Sequence, residues 1–137
     1  MTAQRPLPVP DEASAPYWAA AARHVLTVAR CSECAALTLP PDVLCVACGS
    51  TDPRYVFAPV SGRGVVRSWT VVRKSFLPGF EVPFVLVDVE LAEQPDLRLI
   101  GRLLGADEAA LSIGAQVSVV FEDVSAEIAV PAFELAP

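Results

Sequence analysis

Histidine occurs once in these 137 residues, at position 24, and cysteine occurs only between positions 31 and 48. No second histidine, no cysteine outside that stretch and no Gly-x-Ser-x-Gly are present, so no nucleophile–base–acid set can be assembled. No glycine-rich phosphate loop precedes a helix. Basic residues are also scarce, with 10 Lys and Arg against 16 Asp and Glu and a formal net charge of −6. Non-specific nucleic-acid affinity rests on a basic surface, so this balance argues against a nucleic-acid partner. No apolar stretch is long enough for a membrane helix. The start, MTAQRPLPVPDEAS, lacks the apolar segment of a secretion signal. The expectation is a cytoplasmic protein, where stable disulfides are rare.

What the chain has is apolar content, 53% against 19% charged, with 13 prolines and 7 glycines. That is enough to build a core from short elements joined by many turns. Residues 1–13 are proline-rich and read as an extended tail. Ser14 is placed to cap a helix that has Pro16 in its first turn. Tyr17, Trp18 and Ala21 would form its apolar stripe, and Tyr17 and Trp18 are candidates for a partner interface. His24, at the helix end, reads as a surface residue or cap. Leu26 to Arg30 alternates like a short strand.

The stretch CSECAALTLPPDVLCVACGS holds every cysteine. Cys31-x-x-Cys34 and Cys45-x-x-Cys48 are separated by ten residues that include Pro40-Pro41. Two Cys-x-x-Cys knuckles facing each other place four thiolates at tetrahedral corners, which suits Zn²⁺, and iron would use the same four ligands. Four cysteines close the coordination shell, so the expected role is structural rather than catalytic. Gly49 follows the second knuckle, where a residue tolerant of positive φ is useful. Ala35 stands at the equivalent place after the first and predicts slight strain there.

From about residue 60 the pattern turns to strands: 62–74, 83–91, 97–105, 115–124 and 127–135. A bulge is expected near the glycines that open the first, and Pro131 points to an edge or break in the last. Four or five strands with short turns fit a small barrel or sandwich. Asp88 and Glu90 share one strand face, as do Arg98 and Arg102. An acid pair and a phosphate contact are their functional readings, and a solvated face is the ordinary one. The loop RKSFLPGFEVPF (73–84) has two readings. Its aromatics cover the core, or Phe76 and Phe80 form an apolar lip beside Arg73 and Lys74 for an apolar ligand that carries phosphate.

In order, PYWAAAARHVLTVARCSEC, LPPDVLCVACGS, GRGVVRSWTVV, LPGFEVPFVLVDVEL, IGAQVSVVFE and VPAFEL resemble a family that joins a rubredoxin-like zinc ribbon to an oligonucleotide/oligosaccharide-binding (OB) fold. The resemblance implies a mainly β protein: an N-terminal tail and helix (1–25), a zinc ribbon (26–58) and a five-stranded OB barrel (59–137). It implies that Cys31, Cys34, Cys45 and Cys48 bind zinc. It also implies a non-catalytic accessory subunit of a thiolase-superfamily acyl-CoA enzyme, an acyltransferase or a retro-aldolase of the kind that shortens steroid side chains. In such a hetero-oligomer the thiolase-like subunit holds the catalytic residues, and the acyl-CoA ester is shared with it. The competing expectations are a free-standing acyl-CoA-binding module and, from the barrel class alone, a binder of single-stranded nucleic acid.

Overall fold

Pro16 sits in the first turn of an alanine-rich helix, α1 (Ala15–Ala22), where its missing N–H leaves no bond unmade. The structure, a computed structural model, describes residues 4–137. Of the predicted tail, residues 1–3 lie outside the described residues.

Ser14 precedes the helix but its side chain does not cap it. Its N–H donates to Asp11 Oδ1 at 2.8 Å, and its hydroxyl accepts from the Asp11 N–H at 3.0 Å. This is the reciprocal arrangement of a capping box, with Asp11 in the capping role. The bond from Ser14 also holds the Asp11 carboxyl below its ordinary pKa. At the other end His24 takes φ +60°. The Val25 N–H reaches the Ala20 carbonyl at 3.0 Å and the His24 N–H reaches the Ala21 carbonyl at 2.8 Å. These are the paired bonds of a Schellman motif, with histidine where glycine is usual. His24 is therefore a helix terminator, in keeping with the cap read from the sequence.

Three short antiparallel strands follow: β1 (Thr27–Arg30), β2 (Leu37–Thr38) and β3 (Val56–Pro59), with β1 in the centre. The second sheet contains β4 (Arg63–Val72), β5 (Phe84–Leu91), β6 (Arg98–Arg102), β7 (Gln116–Asp123) and β8 (Ala129–Leu135), in the order β6-β5-β4-β7-β8. All its ladders are antiparallel. A meander followed by a return hairpin is OB-like connectivity. The edges β6 and β8 do not share a full ladder. Just past β6, Leu103 forms an isolated parallel bridge to Phe133, and the Leu104 N–H donates to the Phe133 carbonyl at 2.8 Å. The expected five strands are present, and closure is confined to this bridge. Pro131 lies in β8, at the end of the hydrogen-bonded order, as its missing donor requires.

The bulge is not at the opening glycines. It lies at Arg67, where the register between β4 and β5 slips between Val66 and Ser68. Inward positions switch there, from Gly64 and Val66 to Trp69 and Val71. The glycine at 64 serves a close approach instead, since a Cβ there would sit 2.5 Å from the Glu90 carbonyl oxygen.

Val66, Val87, Val89, Val117 and Phe133 form the centre of the core and are 0–1% exposed. Leu26 and Val28 from the first sheet enter the same cluster. The Gln94 side chain, from the β5–β6 turn, exchanges two 2.8 Å bonds with the backbone of Leu37 in β2. The ribbon is thereby fixed to the barrel. Among the described residues no helix is long and apolar enough to cross a membrane.

Candidate metal centre

The two Cys-x-x-Cys turns fold identically. In each, the first cysteine's N–H donates to the carbonyl five residues on: Cys31 to Ala36 at 2.9 Å and Cys45 to Ser50 at 3.1 Å. In each, the N–H four residues on returns to the cysteine's own carbonyl: Ala35 to Cys31 at 2.9 Å and Gly49 to Cys45 at 2.7 Å. That second bond requires a left-handed residue, and Ala35 and Gly49 have φ of +64° and +75°. The strain expected at Ala35 is therefore present. Ala35→Gly is expected to stabilise the holo chain by about 0.5–1 kcal/mol, and Gly49→Ala to destabilise it by a similar amount. No atom lies within 4 Å of a Cβ added at Gly49, so the second effect is purely conformational. Guanidinium unfolding midpoints of the two variants should move in opposite directions.

The knuckles interleave their sulfurs. Cys34 Sγ lies 3.6 Å from Cys45 Sγ and Cys31 Sγ lies 3.9 Å from Cys48 Sγ. All four lie within 4.8 Å of one another. A tetrahedron with metal–sulfur bonds of about 2.3 Å has edges of about 3.8 Å, so the donor set fits one ion of zinc's size. The Glu33 N–H points at Cys31 Sγ at 3.4 Å and the Ala36 N–H at Cys34 Sγ at 3.5 Å. The Cys48 N–H likewise favours the Cys45 thiolate and draws its pKa down to about 7. Cys31 and Cys45 are buried and Cys34 and Cys48 exposed. Among the described residues no histidine or carboxylate joins the four thiols. The four thiols alone make up a donor set suited to one tetrahedral ion.

The remaining predicted residues are scattered. Tyr17 and Trp18 meet edge to face at 5.0 Å. Tyr17 turns inward, 6.5 Å from the Phe57 ring, and burial pushes its hydroxyl up to about 12. Trp18 lines an apolar cleft of about 700 Å³ with Leu39, Pro40, Pro41, Phe57 and Ile100, between helix, ribbon and barrel. The 73–84 loop splits its aromatics. Phe76 is 86% exposed, with the Lys74 ammonium 5.3 Å from its ring centroid. Phe80 instead stacks on Phe84 at 5.7 Å. Arg73 faces Glu108 at 3.4 Å in an exposed pair. None of the loop's phenylalanines enters the core cluster, so the core-covering reading is not met, while Phe76 stands exposed beside Lys74.

Neither carboxylate nor arginine pair is free. Arg98 donates to Asp88 at 2.6 Å, Arg67 lies 3.8 Å from Glu90, and Arg102 donates to Glu122 at 3.0 Å. An acid pair at Asp88 and Glu90 and a phosphate contact at Arg98 and Arg102 are set aside, because each group is already neutralised. His24 contacts Asp123 at 2.8 Å and stacks on Phe121 at 5.3 Å. Sequence reasoning missed Arg5, whose partner is Glu122 at 3.4 Å. A contact spanning 117 positions leaves no local pattern.

Sequence models of two domains match the chain: "ChsH2, rubredoxin-like zinc ribbon domain" over residues 18–54 and "ChsH2, C-terminal OB-fold domain" over residues 58–122. A solved chain titled "Ltp2-ChsH2(DUF35) aldolase" is 32% identical, with a TM-score of 0.83, covering 95% of this chain and 99% of that one. A DUF35-family protein of unknown function from Sulfolobus solfataricus shares the fold at 12% identity, with a TM-score of 0.60 over 91% of this chain and 86% of that one. The "Probable enoyl-CoA hydratase alpha subunit" of Thermomonospora curvata is 34% identical over 131 residues, 96% of this chain and 40% of that protein. The "3-oxo-4,17-pregnadiene-20-carboxyl-CoA hydratase alpha subunit" of Mycobacterium tuberculosis is 36% identical over 107 residues, 78% of this chain and 33% of that protein. The chain thus spans between a third and two fifths of the length of these two relatives.

Proposed function

The chain belongs to the ChsH2 (DUF35) family of zinc-ribbon and OB-fold proteins, and on that premise we propose that it is a non-catalytic, zinc-bound accessory subunit of a thiolase-superfamily acyl-CoA enzyme. The partner is an acyltransferase or a retro-aldolase acting on a CoA ester, with a steroid side chain as a candidate acyl group. The chain works in the cytoplasm, stabilises its partner and shapes the acyl-CoA site from outside. The observation that carries this reading is the near end-to-end likeness to the chain from the Ltp2–ChsH2(DUF35) aldolase. The chemistry agrees: a closed set of four thiols holds zinc without activating water, and the neutralised arginines and carboxylates of the barrel face supply no acid–base pair. The partner must then supply the reacting groups.

Co-expression with a thiolase-like protein of the same genome tests the proposal. Co-elution, with a gain in the partner's soluble yield and activity, is expected. A monodisperse chain that changes neither yield nor activity overturns it. The second reading, acyl-CoA binding without a partner, draws on the exposed Phe76 beside Lys74. Calorimetry of the isolated chain with long-chain and steroid CoA esters separates the two, since only the second requires heat of binding there.

A further inference from the structure

The 73–84 loop has little of its own to hold it. Between residues 73 and 83 only Ser75 and Phe80 are even half-buried. The Ser75 hydroxyl bonds only within the loop, donating to the Leu77 carbonyl at 3.0 Å. The Arg73–Glu108 pair, at 69% and 49% side-chain exposure, is of a kind that contributes little. The anchor is Phe80, and it is gripped from two sides. Phe84 of β5 stacks against it, and the Arg5 guanidinium lies 5.3 Å from its centroid.

Arg5 is itself fixed. It donates to Glu122 Oε2 at 3.4 Å while Arg102 donates to Glu122 Oε1 at 3.0 Å. The Arg102 guanidinium in turn lies 5.4 Å from the Phe84 centroid. Arg5, Glu122, Arg102, Phe84 and Phe80 thus form a closed ring of contacts across the outer face of the barrel. Arg5 and Glu122 are each only 19% exposed, and Arg102 27%. Removal from water strengthens both the ion pairs and the cation–π contacts.

We infer that Arg5 and Glu122 are positioning residues for this loop: they press Phe80 onto Phe84 and thereby fix the outward presentation of Lys74 and Phe76. The functional consequence rests on the proposed acyl-CoA role of that lip, but the positioning itself does not. The segment before the helix is then part of the lip, although it lies about seventy residues away in sequence.

Hydrogen–deuterium exchange of the full zinc-loaded chain tests the inference. In Arg5→Ala, peptides covering 75–83 should exchange several-fold faster while peptides from the centres of β5 and β7 stay unchanged. Phe80→Ala should give the same loosening, and the double variant should add nothing, because both act through one contact. Arg5→Lys should recover part of the protection, since it keeps charge without the planar fork. Unchanged exchange in Arg5→Ala, or fully additive effects with Phe80→Ala, overturns the positioning role. Palmitoyl-CoA affinity of the partner complex provides the separate functional readout. A loosened loop with weaker affinity supports both readings, whereas a loosened loop with unaltered affinity keeps the positioning and removes the ligand role of the lip.

Discussion

Cys45→Ser is expected to abolish stoichiometric metal binding and to unfold the two knuckles while leaving the barrel folded. The reason lies in how little else the knuckles bury. Between residues 31 and 55 the only buried residues are Cys31, Cys45 and Pro53. Val43, Leu44 and Val46, the apolar residues around the second knuckle, are 82%, 48% and 82% exposed. Among the described residues the knuckles bury no hydrophobic cluster of their own, so a bound ion is expected to take the place of a core. Structural zinc contributes about 10–16 kcal/mol of apparent free energy in small ribbons and fingers. Cys45 is buried and lies 3.6 Å from Cys34 across the two knuckles. A serine hydroxyl there remains protonated at neutral pH and leaves a three-thiolate set. Metal analysis should fall from one equivalent to near zero. Amides of residues 31–36 and 45–50 should lose exchange protection. Val28 and Ala29, 0% exposed and paired with β3, should keep theirs because the barrel core holds them. A chelator applied to the unsubstituted chain should reproduce the pattern. Stoichiometric metal with protected knuckles in the variant would falsify the view that the ion substitutes for a core.

The knuckles were legible in the sequence because their chemistry is local. Two cysteines three apart, repeated, specify the turn, and the turn specifies a left-handed residue at the fifth place, which Gly49 and Ala35 occupy. The strands were legible as short apolar runs between turn residues, but which face is buried was not. In Phe84–Leu91 the run is nearly all apolar at first, and only the structure shows that Val85, Val87, Val89 and Leu91 are the buried set. Two errors came from competition between neighbours. Ser14 has the side chain of a cap, but Asp11 lies three residues earlier and takes that role, with Ser14 as its reciprocal partner. The glycines opening β4 suggested a bulge, yet the extra residue is Arg67, whose side chain reaches Glu90 at 3.8 Å. What no local pattern carried was the ring around Glu122. Arg5 lies in a proline-rich stretch that reads as tail, and only the folded barrel brings Glu122, Arg102 and Phe80 within its reach. The partners of Arg98 and Arg102 were illegible for the same reason, since Asp88 and Glu122 come from β5 and β7.

Phe133→Ala is expected to cost about 3–5 kcal/mol of barrel stability, the range for removing a large buried aromatic, and to leave the metal centre loaded. Phe133 is 0% exposed and belongs to the central cluster with Val66, Val87, Val89 and Val117. Its place in β8 is also where the sheet comes nearest to closing. Its carbonyl accepts the Leu104 N–H, and it forms an isolated parallel bridge to Leu103, just past the end of β6. Its ring fills the space under Gly101 in β6, where an added Cβ would lie 3.1 Å from Cδ2. Truncation therefore opens a cavity at the junction of β6 and β8, which a full ladder does not secure. Neighbouring side chains cannot refill it without drawing β6 and β8 together, and the bridge backbone already sets that spacing. The guanidinium midpoint should drop, with exchange rising first in β6 and β8 and last at the β4–β5 pairing. Metal content and knuckle protection should be unaffected, because the four cysteines touch none of these residues. This is the inverse of the pattern expected for Cys45→Ser. Together the two variants separate a ribbon held by an ion from a barrel held by packing. If Phe133→Ala instead released the metal, the shared core at Leu26 and Val28 would be carrying the ribbon, and the knuckles would depend on the barrel for their shape.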